Sequence, residues 1–312
     1  MQRILITGGS GFLGRELALK LKSKYEVVLA ARNNGLNKEA EEITGCKSIP
    51  MDVSNMHSVS DGFNLCKPNL VIHAGATKYV NISEEQPLET IDVNVLGSQN
   101  IARASIAKGI KTVIGISTDK AAPPVPNIYG NSKALMERMF CSLDHSHDTN
   151  FSCVRFGNIA WSTGSVFPIW KRMMEEHGHI ESTGPNMKRF FFSVSDAADL
   201  VIRNIDNIEL TKGNILSMKM KASKISDLLE VWKKLYGTSW NDIGRRLGET
   251  DHESMIGSTE LKFTSEITLE GSPHFLTSTR DEANNHITEP FTTEHSDIHS
   301  EEEMMQLIQL GI

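Results

Sequence analysis

Short apolar runs separated by longer amphipathic stretches set the rhythm of the first half of the chain. Arg3–Thr7, Val27–Ala31, Lys47–Met51, Leu70–Ala74, Thr112–Ile116 and Phe151–Phe156 each read as a strand. Continuous apolar runs of this length suit strands buried on both faces, as parallel sheets require. Phe12–Ser23 and the Asn- and Ile-rich stretch Leu88–Lys108 read as helices. Strands alternating with helices imply βαβ units, right-handed crossovers and an α/β, doubly wound parallel sheet. Beyond Asn158 the rhythm changes, with Gly164-Ser-Val-Phe-Pro168 and Gly184-Pro185 set between shorter helices. We expect residues 1–158 to form the sheet domain. Residues 159–312 should form mainly a smaller lobe over the carboxyl ends of the strands, with part of the chain returning to the first domain. The last fifty residues are polar, with scattered His274, His286, His295 and His299, and read as solvated surface rather than a metal site.

Composition narrows the class. Of the 312 residues, 39% are hydrophobic and 23% charged, as in a soluble globular protein. Lys plus Arg number 32 against 39 Asp plus Glu, a net charge of −7, which argues against a nucleic-acid-binding surface. Cys46, Cys66, Cys141 and Cys153 show neither metal spacing nor a dense disulfide framework, and no metal is expected. No apolar run approaches the roughly 18 residues that span a bilayer. A strand starting almost at Met1 leaves no room for a signal peptide. The expectation is a soluble, cytoplasmic protein without membrane contact.

The chemistry concentrates between Ser117 and Lys133. Ser117-Thr118-Asp119-Lys120 follows directly on the apolar run ending at Ile116, and Tyr129-Gly-Asn-Ser-Lys133 follows shortly after. Polar residues at the carboxyl end of a parallel strand sit where open α/β sheets bind their ligands. Tyr129 and Lys133 are four apart on one helix face. A lysine ammonium beside a phenol lowers the phenol from its usual value of about 10, so that the tyrosinate can take a hydroxyl proton. Alone, the Tyr-Lys pair fits an ordinary helix start equally well.

Thr7-Gly-Gly-Ser-Gly-Phe-Leu-Gly14 follows the first strand and opens the first helix. Glycines at 8, 11 and 14 let the turn form and let backbone N–H groups approach a pyrophosphate on the helix dipole. Gly8, Ser10, Gly11, Phe12, Leu13 and Gly14 therefore predict a dinucleotide site, and the fold becomes Rossmann-like. At the end of the second strand stands Ala30-Ala31-Arg32-Asn33-Asn34, with no acid for a ribose 2′-hydroxyl. Arg32 favours NADP, with NAD the alternative. Asp52 could accept from an adenine amino group or cap a helix.

With these residues in view, the chain resembles the extended short-chain dehydrogenase/reductases, in particular the polysaccharide-biosynthesis branch that contains UDP-N-acetylglucosamine 4,6-dehydratases. The resemblance rests on Thr7–Gly14, His73-Ala-Gly-Ala76, Asn94-Val-Leu-Gly97, Ser117–Lys120, Tyr129–Lys133 and Arg155-Phe-Gly-Asn158. It extends to Gly164–Pro168, Lys188-Arg-Phe-Phe191 and Gly248-Glu-Thr-Asp-His-Glu253. The Ser-Thr-Asp-Lys-Ala and Gly-Glu-x-x-His-Glu runs are the more specific to this branch. The segment Ala121–Ile128, with Pro123, Pro124 and Pro126, runs about one residue longer than the family's usual spacing.

The resemblance implies a nucleotide-sugar 4,6-dehydratase, with 4-epimerization of the same UDP-sugar as the near alternative and a non-catalytic NADP sensor as a remoter one. It implies a homo-oligomer and adds Val53, Ala74, Gly75, Ala76 and Asn94 to the cofactor site. After oxidation at carbon 4, dehydration needs a base for the carbon 5 proton and an acid for the departing 6-hydroxyl. Tyr129 is expected to take the 4-hydroxyl proton, with Lys133 as modulator and ribose ligand and Thr118 bonded to that hydroxyl. Asp119 is the expected acid and Lys120 the expected base, each shifted by burial unless the two form an ion pair. Lys78, Asn158, Arg189, Arg246 and Glu249 are the expected substrate contacts, with Lys188, His252 and Glu253 nearby.

Overall fold

The computed structural model describes residues 1–245 and 249–311. The first half runs β1 (Arg3–Thr7), α1 (Phe12–Leu21), β2 (Glu26–Ala31), α2 (Asn34–Thr44), β3 (Lys47–Pro50), α3 (Met56–Cys66) and β4 (Leu70–His73). It continues with α4 (Val80–Glu85), α5 (Pro87–Thr90), α6 (Gly97–Ala107), β5 (Thr112–Ile116), α7 (Ile128–Asp144) and β6 (Asn150–Val154). Then come β7 (Asn158–Ile159), α8 (Val166–His177), β8 (His179–Ser182), β9 (Lys188–Phe192), α9 (Val194–Asp206), α10 (Ile208–Thr211) and β10 (Asn214–Met218). The chain ends with β11 (Ala222–Lys224), α11 (Ile225–Tyr236), β12 (Ser239–Asp242), β13 (Ser254–Ile256), β14 (Thr264–Leu269), β15 (Ser272–Ser278), β16 (Phe291–Thr292) and α12 (Glu301–Gln309).

The main sheet has the order β14-β15-β10-β6-β5-β4-β1-β2-β3. Every pairing from β3 to β10 is parallel, and β15 and β14 add an antiparallel edge. With helices on both faces, this is a Rossmann-like sheet. Strand order reverses between β1 and β4, which opens a crevice at their carboxyl ends. Successive side chains of a strand face opposite ways. Ile4, Ile6, Ile72 and Ile114 accordingly pack on Leu17, Leu21, Leu200 and Val201 on one face. Leu5, Val71 and Val113 pack on Phe63, Ile101, Met136 and Phe140 on the other. A third, aromatic cluster lies outside the sheet, where Phe167 stacks on Phe191 at 5.5 Å and Trp170 meets Trp232 edge-on at 5.8 Å.

Two expectations are corrected. Leu88–Lys108 is not one regular helix: α5 passes through a π-helical turn, Ile91–Leu96, before α6 begins. That wider turn carries Asn94, whose buried amide donates to Thr77 O at 3.0 Å and Ser132 Oγ at 2.9 Å. The last fifty residues are not simply solvated surface. β14 and β15 extend the main sheet, His274 and Thr264 are fully buried, and Met304, Leu307 and Ile308 of α12 join the aromatic cluster. The overlooked signal was β-branched residues around Glu270-Gly271, both at positive φ, which is a hairpin turn. His286 and His295 are exposed.

Candidate active site

The crevice is a trough of about 520 Å3 running from the glycine loop to Tyr129. Gly8 has φ +68°, and a Cβ there would lie 2.7 Å from Ala74 O. A Cβ on Gly14 would lie 2.7 Å from Gly8 O, so helix and loop touch backbone to backbone. The N-terminus of α1 has no side-chain cap and no acid in its first turn, which leaves its amides for an anion. Arg32, Lys78, Lys120 and Lys133 line the trough, and no carboxylate does among the described residues. A narrow cationic trough of this shape fits a dinucleotide diphosphate.

Of the residues expected at a cofactor, Gly8, Ser10, Gly11, Phe12, Leu13, Gly14, Arg32, Ala74, Gly75, Ala76, Tyr129 and Lys133 line this trough. Asp52, Val53 and Asn94 do not. Asp52 Oδ1 accepts from Ser54 N at 3.0 Å and Ser54 Oγ at 2.7 Å, closing a turn. Asn94 braces the loop after β4 from behind. Arg32 is exposed, 3.2 Å from Glu89 Oε1.

The polar run after β5 is held by its own backbone. Ser117 N donates to Val154 O at 2.7 Å and Asp119 N to Phe156 O at 2.9 Å. Asn127 caps α7 by accepting from Gly130 N at 2.7 Å, which sets Tyr129 and Lys133 on its first two turns. Gly130 leaves room for the Lys120 carbonyl, which any Cβ would strike. The longer proline segment is thus absorbed in the loop, and Thr118, Asp119, Lys120 and Tyr129 converge.

Two electrostatic expectations are corrected here. Lys133 was to lower the Tyr129 phenol. Instead burial holds the phenol above its ordinary value, although Lys120 and the Thr118 hydroxyl pull it down. The Lys133 ammonium lies 3.4 Å from Met136 Sδ and is pulled down to about 8 by burial. Lys120 was to be made neutral by burial unless it formed an ion pair with Asp119, and that ion pair is present. Its Nζ lies 2.8 Å from Glu253 Oε1 and 3.1 Å from Asp119 Oδ1. Burial opposes its charge, but the two carboxyl groups outweigh that and raise it. Asp119 is pushed up to about 7 by burial, then by the negative charge of Glu253. Burial works against the Glu253 charge too, yet Lys120 and Arg189 bring Glu253 down to about 2.

A second cavity of about 400 Å3 abuts the trough and shares Lys78, Lys120 and Asn158 with it. Arg189 and Glu249 line it, together with Tyr79 and Trp170, which the sequence did not single out. Arg189 Nε lies 3.3 Å from Glu253 Oε1. Asn158 Oδ1 accepts from Lys120 Nζ at 3.4 Å, and its Nδ2 donates to Phe190 O at 3.0 Å. Thr183 Oγ1 donates to Glu249 Oε1 at 3.3 Å. His252 also lines this cavity. Lys188 sits on β9, where its N–H donates to Asp251 O at 2.9 Å. Arg246 lies outside the described residues. Sequence reasoning missed the contact of Glu253 with Lys120, because 133 positions separate them; the only signal was the Gly-Glu-x-x-His-Glu run.

Known proteins resemble this chain in sequence and in fold. A family model described as polysaccharide biosynthesis protein matches residues 4–269. The chain is 32% identical over 275 residues to a UDP-N-acetylglucosamine 4,6-dehydratase (inverting) of Campylobacter jejuni, covering 85% of this chain and 80% of that one. It is 31% identical to a UDP-glucose 4-epimerase of Rickettsia bellii, over 83% of this chain and 78% of that one. The X-ray structure of Pen from Bacillus thuringiensis superposes with a TM-score of 0.89 at 26% identity, over 98% and 96% of the two chains.

Proposed function

The chain belongs to this family of polysaccharide biosynthesis proteins, and on that premise we propose that it is a nucleotide-sugar 4,6-dehydratase acting on UDP-N-acetylglucosamine with NADP. A nicotinamide dinucleotide in the trough supplies the hydride acceptor at carbon 4 and the donor at carbon 6. Tyr129 takes the 4-hydroxyl proton while Thr118 bonds the same oxygen, and Lys133 holds the ribose. Asp119 protonates the departing 6-hydroxyl; a carboxyl group raised to about 7 holds its proton up to neutral pH. Lys120 takes the carbon 5 proton once its own has been passed on. Lys78, Asn158, Arg189 and Glu249 face the sugar nucleotide, with Arg246 as a further contact. Residues 1–158 serve the cofactor and residues 159–312 mainly the substrate, in a cytoplasmic homo-oligomer. Among the described residues no helix is long and apolar enough to cross a membrane.

The buried Asp119–Lys120 pair at the junction of the two cavities carries this reading. A 4-epimerase needs an oxidising tyrosine and a sugar free to turn, but no acid at carbon 6. Epimerization stays the second reading because a relative of similar identity bears that name. Mass spectrometry and NMR of the product from purified protein, UDP-N-acetylglucosamine and cofactor decide between them. Loss of one water with a new methyl signal is expected; unchanged mass with an inverted 4-hydroxyl would overturn dehydration.

The cofactor preference rests on Arg32, at the end of β2 in a trough free of carboxylates among the described residues. Removing its charge with Arg32→Ala should weaken NADP binding by about tenfold while leaving NAD within about twofold, as one exposed charge-assisted phosphate contact suggests. Titration calorimetry with both dinucleotides reads this, and equal losses for both would refute the preference.

A further inference from the structure

Three ionisable side chains from distant parts of the chain meet at one point of the cavity wall. Asp119 and Lys120 follow β5, and Glu253 immediately precedes β13. The Lys120 ammonium bridges the two carboxyl groups and is closer to Glu253 than to Asp119, at 2.8 Å against 3.1 Å. Glu253 also faces Arg189 Nε at 3.3 Å, and its Oε2 accepts from Asn158 Nδ2 at 3.4 Å. The Asp119 side chain is fully buried; Oδ1 accepts from Thr118 Oγ1 at 2.9 Å and Lys120 Nζ at 3.1 Å, no donor among the described residues reaches Oδ2, and the protonated carboxyl group can donate directly to Glu253. Among the described residues, Tyr129 and Arg189 also act on the pair, and Lys78, Glu249 and His252 line the same cavity.

We propose that Glu253 is the positioning residue that makes this pair work as acid and base: it takes the shorter bond from the Lys120 ammonium that Asp119 shares, leaves Asp119 protonated, and accepts the Lys120 proton when the base is needed. This rests on the dehydratase reading above. Without a competing carboxylate, Lys120 and Asp119 would close into an ordinary ion pair, with the acid ionised and the base charged. Glu253 faces two cations and Asp119 only one, so a single proton shared by the two carboxyl groups resides on Asp119. Environments that push two neighbouring carboxyls apart divide them into acid and base partners.

The protons balance. Glu253 carboxylate takes the ammonium proton, and the free amine of Lys120 breaks the carbon 5–hydrogen bond. That electron pair forms the carbon 5–carbon 6 double bond as the carbon 6–oxygen bond breaks. The oxygen leaves as water with the Asp119 proton. Once carbon 6 has regained hydride, Lys120 gives its proton to carbon 5 and recovers one from Glu253, while the 4-hydroxyl proton held by Tyr129 passes through the Thr118 hydroxyl to Asp119, which resets the site. Burial works against the charge of both partners, but their mutual attraction, with Asp119 acting on Lys120 and Arg189 on Glu253, outweighs it and holds both charged, so this transfer runs uphill until bound substrate dries the cavity further. Glu253 touches no substrate atom in this scheme.

The test is Glu253→Gln, which keeps shape and removes charge, with Glu253→Asp as the conservative control. Water loss from UDP-N-acetylglucosamine in Glu253→Gln should fall by about 100-fold or more, as loss of an acid–base step does. Oxidation at carbon 4, read as reduced-nicotinamide absorbance with stoichiometric enzyme, should survive within a few-fold, and Glu253→Asp should recover part of the rate. The pH profile adds a readout that packing alone would not move. In the parent, activity should be present below about 7 and be lost as pH rises through that value, because Asp119 must be protonated. Removing the Glu253 charge should move this falling limb to lower pH.

Dehydration at the parent rate, an unmoved limb, or equal loss of oxidation and dehydration would each overturn the proposal while leaving the dehydratase reading intact. A parent protein that turns the sugar over without losing water overturns that reading, and this assignment with it.

Discussion

Tyr129→Phe should reduce turnover by roughly 10²- to 10⁴-fold, the range for loss of a positioned proton-transfer group. The substitution removes one oxygen from a side chain that is only 9% exposed and leaves the ring in place. The start of α7 is held by the Asn127 cap and the close approach of Gly130 to Lys120, neither of which involves the phenol hydroxyl. Folding should therefore be unchanged. The phenol oxygen is the group beside Thr118 and Lys120, and both pull it, against burial, towards the phenolate that takes a proton from a bound alcohol. Dehydration and the transient reduced-nicotinamide signal should disappear together, because Tyr129 acts at the first step. Circular dichroism and dinucleotide binding should stay within about twofold of the parent. Parent-like turnover in Tyr129→Phe would remove the tyrosine from the mechanism.

The largest stability effect should come from Arg155, which is 1% exposed at the end of β6. Its guanidinium donates to Glu137 through Nε at 2.9 Å and Nη2 at 2.7 Å. It donates to Glu260 through Nη1 at 2.9 Å and Nη2 at 2.8 Å, and to Met255 O through Nη1 at 2.9 Å. One cation thus ties α7, which carries Tyr129, to the segment that follows Glu253. Arg155→Met fills similar volume but strands two carboxylates, so unfolding free energy should drop by about 3–5 kcal/mol. That is a large share of a typical total of about 5–15 kcal/mol. Urea unfolding should show a lower midpoint at unchanged slope. Adding Glu137→Gln and Glu260→Gln should return part of the loss, since uncompensated charge causes it. A midpoint equal to the parent's would show that the brace contributes nothing to stability.

Arg155 also shows where sequence reading stopped. The run Arg155-Phe-Gly-Asn158 was legible as a family motif, yet nothing local says that Arg155 faces inward or that its partners lie 18 and 105 positions away. Asp52 and Asn94 lie outside the trough lining for a related reason. A polar side chain near a cofactor loop has the same sequence signature whether it points at a ligand or holds the backbone, and here Asp52 closes a turn while Asn94 braces the loop after β4. Lys120 was judged by its neighbour Asp119 alone. Asp119, and with it a third group, Glu253, raise Lys120 against the burial that was to lower it.

By itself the sequence determined the periodic features: six parallel strands with their crossover helices, the glycine loop that needs close backbone approach, and the spacing of Tyr129 and Lys133. Each follows from local geometry, where a period of two or 3.6 residues or a missing Cβ leaves few conformations. Tertiary structure decided the rest. It brought β14 and β15 to the sheet edge, closed the second cavity over Lys120, and set the charge state of the acid–base pair. Those outcomes depend on burial and on charges that are distant in the chain but within about 3 Å in space, where Coulomb interactions are strong and poorly screened.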